Sequence, residues 1–140
     1  MMKKFFISLA LLAFSGTSAI ATCTQPSGTF AGTGSGALYR SGKIYSLISD
    51  SLVVTIAADG SGTIDEVGKN TSGRFTSTST MPAIGTTNHS FNSTTCRGIF
   101  TSSIGNTFVY NVTGSGTKIT FTYFGNDTYL ALYSLVREKV

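Results

Sequence analysis

The segment HSFNSTTCRGIF, residues 89–100, brings the chain's single histidine close to one of its two cysteines. Two chemistries suit that arrangement. A thiolate nucleophile needs its pKa lowered by a neighbouring base or cation, and His89 or Arg97 would supply it. A disulfide needs only a second cysteine, which is Cys23, and an oxidising compartment. The N-terminus favours the disulfide. Lys3 and Lys4 precede FFISLALLAF, an apolar run of about ten residues that suits a signal-peptide core and is too short to span a bilayer. The small-residue site Ala19-Ile20-Ala21 follows. Residues 1–21 therefore read as an export signal, cleaved before Thr22, with residues 22–140 forming one domain. Export would oxidise Cys23 and Cys96, and closing so long a loop stabilises by roughly 4 kcal/mol in the chain-entropy model. Lipidation of Cys23 is the competing use. It is disfavoured by Thr22, where a smaller residue is expected, and it would strand Cys96. His89 is then an ordinary, partly buried strand histidine on the same face as Phe91.

Other chemistry is sparse. Asp65 and Glu66 are adjacent, so on a strand they face opposite sides and do not pair as acid and base. Asp59 and Asp127 fall in turns, where aspartate caps its own backbone. The glycine run Gly32–Gly36 lacks the spacing and strand–helix context of a phosphate loop. One histidine and two paired cysteines leave no zinc set. No catalytic residue, metal site or cofactor is assigned on these grounds. Loss of Lys3 and Lys4 with the signal halves the formal charge of +4. The remaining cations are scattered singly, which argues against nucleic acid as a partner. No later run of about 18 apolar residues exists to form a transmembrane helix.

The elements that must position any site are strands. Thr, Ser and Gly dominate, and short alternating apolar runs are separated by turn residues. In SLVVTIAADGSGTIDEV, Leu52, Val54 and Ile56 share a face and DGSG turns the chain back. In NTFVYNVTGSGTKITFTYF, Phe108, Tyr110 and Val112 share a face, as do Ile119, Phe121 and Tyr123, with Lys118, Thr120 and Thr122 opposite. TYLALYSLVRE is apolar on both faces and reads as the most enclosed strand. Residues 39–50 read as a loop with a short helical turn, and residues 77–88, with Pro82, as a loop. The count of eight or nine strands predicts an all-β, antiparallel, up-and-down barrel of about eight strands, since closure removes exposed edges.

The order of Gly28-Thr29-Phe30 opening a strand, Asp59–Gly62 at a hairpin, and Cys96-Arg97-Gly98 starting a strand resembles small exported bacterial proteins with calycin-like or allene-oxide-cyclase-like barrels. Such proteins often carry Thr where Arg97 stands. The resemblance implies a barrel fold and a secreted or periplasmic location. It transfers no catalytic residue.

What remains is aromatic, with six Tyr, ten Phe and no Trp in the chain. Aromatics in the last three strands either fill the barrel or line a pocket for one small apolar or amphipathic ligand. In the second case Tyr110, Phe121, Tyr123 and Tyr129 line it, with His89 as the polar contact. The functional expectation is a binding protein without catalytic activity. The alternatives are an exported effector or inhibitor acting through the loop at residues 81–87, and a cyclase- or isomerase-type enzyme using interior tyrosines.

Overall fold

The computed structural model of the chain describes residues 22–125 and 129–138, excluding the side chains of Tyr129 and Leu130. The expected export signal at residues 1–21 lies outside the described residues. Nine strands follow in order: β1 (Gly28–Arg40), β2 (Lys43–Ile56), β3 (Gly62–Asn70), β4 (Gly73–Met81), β5 (His89–Asn92), β6 (Arg97–Thr101), β7 (Thr107–Thr113), β8 (Lys118–Gly125) and β9 (Tyr129–Arg137). They form one antiparallel sheet in the order β4-β3-β2-β1-β9-β8-β7-β6-β5. Chain neighbours are sheet neighbours except β4 and β5, which are the two edges, and β1 also pairs with β9, so the sheet is an up-and-down meander curled into a barrel-like shell. The edges β4 and β5 form no ladder with each other among the described residues. One end of that seam is closed by the β6–β7 loop, where Ser103 N donates to Thr80 O at 3.0 Å and Thr80 N to Ser103 Oγ at 2.9 Å.

Residues 39–50 are strand, not a loop with a helical turn. β1 and β2 run on to a tight turn at Ser41 and Gly42, both at positive φ. The long hairpin keeps strict alternation: on β2 Ser46, Ile48, Asp50, Leu52, Val54 and Ile56 are buried while the residues between them are exposed. β9 is also not enclosed on both faces. Ala131, Tyr133 and Leu135 are buried, but Leu132 is 61% and Val136 50% exposed, because among the described residues no second layer covers the outside of the sheet.

The core is the inner face of the curled sheet, where Phe30, Val54, Phe100, Tyr110, Phe121 and Leu135 are fully buried. Each large side chain removed from water contributes roughly 1.5–3 kcal/mol. Register places one residue from every strand on a single rung: Phe75, Gly68, Asp50, Gly34, Tyr133, Phe121, Tyr110, Gly98 and Phe91. Large rings alternate with glycines where the wall must leave room. A Cβ at Gly34 would overlap the Tyr133 ring, and one at Gly98 the Tyr110 ring. Tyr110 lies flat over Gly98 and stacks on Phe91 with centroids 6.0 Å apart.

Cys23 and Cys96 are joined in a disulfide across 73 positions, with Cα atoms 5.3 Å apart. Cys23 N donates to Ser93 O at 2.8 Å in the β5–β6 turn, while Gln25 Nε2 donates to Ala58 O at 2.8 Å in the β2–β3 turn. The segment before β1 thus crosses the end of the shell that carries those turns. The opposite end bears the β1–β2 and β3–β4 hairpins and the β6–β7 loop.

Candidate functional site

At that opposite end the inner face is not filled. A cavity of about 260 Å³ lies between β1–β4 on one side and β7–β9 with the β6–β7 loop on the other. Its apolar walls include Leu38, Ile48, Leu52, Ile64, Phe75, Ile104, Phe108 and Tyr123, and its polar end carries Glu66 and Tyr133, with Asn70, Ser77, Ser79 and Asn106 around it. Phe108 and Tyr123 form a tilted aromatic pair with centroids 4.9 Å apart.

The polar end is built by the central rung. Gly34 pairs with Asp50 on β2 and with Tyr133 on β9. Having no side chain of its own, it lets the Tyr133 ring lie across β1. The Tyr133 hydroxyl donates to Asp50 Oδ2 at 2.8 Å, with Glu66 Oε1 a longer acceptor at 3.2 Å. Glu66 pairs with Leu52 on β2, so it stands diagonally beside Asp50 on the inner face. Burial pushes the Glu66 carboxyl up to about 8, helped by its hydrogen bond to Asp50 and by the charge there; the Tyr133 bond acts in the opposite direction. With its carboxyl raised to about 8, Glu66 holds its proton at neutral pH. Tyr123 is pushed up to about 12, chiefly by burial and then by the Glu66 charge. The arrangement presents the Glu66 carboxyl and the phenols of Tyr123 and Tyr133 to one largely apolar volume.

Of the residues singled out from sequence, Tyr123 lines this cavity. Tyr110 and Phe121 are 1% exposed and pack in the closed part of the core. His89 joins them there. Its Nδ1 lies 2.7 Å from Pro82 O and therefore carries the proton, which leaves Nε2 to accept from the Tyr110 hydroxyl at 2.8 Å. Burial holds the imidazole below its ordinary pKa and raises the Tyr110 phenol. This histidine ties the loop after β4 to the core. The side chain of Tyr129 lies outside the described residues, although its backbone pairs with Leu38.

Asp50, Glu66 and Tyr133 were not in the expected set. The alternation of Leu52, Val54 and Ile56, continued two residues back, puts Asp50 on the apolar face, and Glu66 follows Ile64 at the same period. A wider depression, about 740 Å³, lies on the outside of β1, β2 and β9 around Ala37, Leu47 and Leu132. No carboxyl lines it among the described residues. Among the described residues no set of three His, Cys, Asp or Glu side chains is placed to hold a metal ion, and no helix is long and apolar enough to cross a membrane.

No protein-family model matches the chain, and no curated protein matches it. Two similar solved structures are designed proteins. One is a de novo designed fluorescence-activating β-barrel, 11% identical over 81% of this chain and 94% of that chain, with a TM-score of 0.43. The other is a redesigned β-barrel, mFAP1, bound to DFHBI, 13% identical over 81% of this chain and 95% of that chain, with a TM-score of 0.46. At such identities the likeness concerns the fold alone.

Proposed function

We propose that the protein is an exported small-molecule-binding barrel, secreted or periplasmic, that holds one largely apolar ligand in its interior and does not transform it. The carrying observation is the interior cavity of about 260 Å³, with apolar side chains along its walls and a small set of polar groups among them, Glu66 and Tyr133 included. Ligand sites have that distribution: apolar surface for affinity and a few fixed polar groups for orientation. Its volume lies between the roughly 150 Å³ that accommodates benzene in an apolar cavity and the roughly 300 Å³ at which drug-sized sites begin. The Cys23–Cys96 disulfide fits a compartment outside the cytoplasm. The N-terminal reading makes Thr22 the first residue of the exported form. Of the earlier site residues, Tyr123 belongs to this proposed site, while Tyr110, Phe121 and His89 support its floor.

Native mass spectrometry of protein taken from its own source tests the reading. A bound small molecule, lost when Ser77→Phe fills the cavity, is the expected result. A ligand-free protein that also gains no thermal stability from small apolar compounds would overturn it. A second reading is favoured by one observation, the Glu66 carboxyl at the cavity wall beside Tyr133, with Asp50 behind. A carboxyl that holds its proton at such a site is the equipment of an isomerase-type acid–base enzyme. Turnover of a bound molecule by the wild type but not by Glu66→Gln would decide for it.

A further inference from the structure

The cavity's polar end narrows the ligand's chemistry. Glu66 and Tyr133 line it, and Asp50 stands directly behind, bonded to the Tyr133 hydroxyl at 2.8 Å. These groups offer oxygen acceptors from three side chains to one point. No Lys, Arg or His lines the cavity among the described residues. A ligand carboxylate or phosphate would therefore meet like charge with no cation to offset it, and at short range in a poorly solvated site that repulsion is large. A neutral ligand would leave the charge of the carboxyl pair facing apolar surface. An ammonium group offsets that charge, and its N–H donors find acceptor oxygens on Glu66 and Tyr133 at the cavity wall. The wall beside it is aromatic: Phe108 and Tyr123 line the same volume as a tilted pair, and aromatic faces attract cations as well as apolar rings.

We infer that the ligand is a small apolar amine, its ammonium held by Glu66 and Tyr133 with the Asp50 carboxyl directly behind them, and its apolar body by the Phe108–Tyr123 wall. The inference rests on the proposal that the interior cavity is a ligand site, and it adds the charge and class of the ligand. It also assigns Asp50, which barely touches solvent, the task of setting the charge preference through the Tyr133 and Glu66 bonds.

Three probes of similar size separate this inference from the reading beneath it: 2-phenylethylamine, 2-phenylethanol and 3-phenylpropanoate. Binding of each to the whole disulfide-bonded protein is measured by calorimetry at neutral pH. The amine is expected to bind at least about tenfold more tightly than the alcohol, and the acid more weakly than either. Amine binding should also expel part of the Glu66 proton, seen as a binding enthalpy that changes with the buffer. Asp50→Asn is expected to abolish the preference for amine over alcohol. Should that variant fail to fold, the wild-type comparison alone decides. Equal affinity for amine and alcohol overturns the amine inference and leaves the cavity a ligand site. Failure of all three probes, with no shift of Phe108 or Tyr123 resonances, overturns the ligand-site reading as well.

Discussion

Tyr133 and Asp50 come from strands that are not neighbours, yet their side chains are joined by a 2.8 Å hydrogen bond. The strand between them supplies Gly34, paired with both, and it is the missing Cβ there that lets the ring pass. The polar end of the cavity therefore depends on a residue that has no polar group.

Gly34→Ala should accordingly be damaging out of proportion to the methyl it adds. The new Cβ meets the Tyr133 ring and the Leu132 carbonyl, and backbone on that side cannot yield cheaply. A loss of about 1–3 kcal/mol is expected from overpacking. Tyr133→Phe should cost about 1–3 kcal/mol by depriving a buried carboxyl of its donor. Because both act on one contact, the double variant should lose less than the sum. Urea unfolding of the four proteins reads this out, and strict additivity would sink the argument.

The carboxyl pair makes stability depend on pH in an unusual direction. Glu66 binds its proton more tightly folded than unfolded, with its pKa raised from 4.5 to about 8. Its contribution is fully present below 4.5 and is lost as pH rises through about 8. Glu66→Gln keeps the shape of the protonated acid and removes the titration. The variant's melting temperature should thus gain on the wild type steadily across that window and no further above it. A difference independent of pH, or one that shrinks as pH rises, would contradict the assignment.

The strand alternation that defines the inner face was legible from Leu52 to Ile56 and from Phe108 to Tyr123, because every second residue of each strand there is apolar and most of those between are polar. The same period continues through Asp50, Ile48 and Ser46, but Ser, Asp, Gly and Lys in residues 41–51 imitate a loop composition. What carries those residues into a strand is pairing with β1 and β3 on either side, a tertiary effect. The Glu66 partner was equally hidden. Its chain neighbour Asp65 faces the opposite side and bonds Thr78 at 2.9 Å, whereas Asp50 reaches it only through the β2–β3 register. Tyr133 joins them because β1 pairs with β9, a contact between the two ends of the meander that no local pattern announces. The disulfide was legible because the chain has two cysteines and an N-terminus that reads as an export signal.

Removing that disulfide should loosen one end of the shell while sparing the cavity at the other. Cys23 N bonds Ser93 O, so the bridge and one backbone bond together hold the segment before β1 against the β5–β6 turn. The double variant Cys23→Ser, Cys96→Ser is expected to lose roughly 2–5 kcal/mol. Hydrogen exchange should quicken first at the Cys23 amide, with the β2–β3 ladder protected. Two titratable thiols in the unreduced protein would refute the pairing.

His89 titrates against the carboxyl pair, and the two are separable. Its Nδ1–H donates to Pro82 O and its Nε2 accepts from the Tyr110 hydroxyl, so the neutral ring satisfies both partners. Protonation would put a second N–H against a phenol that already has its proton aimed there. Burial lowers the pKa from the ordinary 6.5, so the histidine's contribution is present above 6.5 and is lost as pH falls through the lower folded value. His89→Ala removes both hydrogen bonds and leaves the Tyr110 hydroxyl without an acceptor in a core where Tyr110 is 1% exposed. Two terms add in the same direction, the unsatisfied phenol at about 1–3 kcal/mol and the cavity left by the ring at a similar magnitude. The difference between wild type and variant should therefore be largest above pH 6.5 and shrink in acid, where the wild type itself loses the contact. Glu66 is common to both proteins and cancels from the comparison. Urea midpoints on either side of pH 6.5 measure it, and a gap that widens in acid would show that the imidazole is held charged instead.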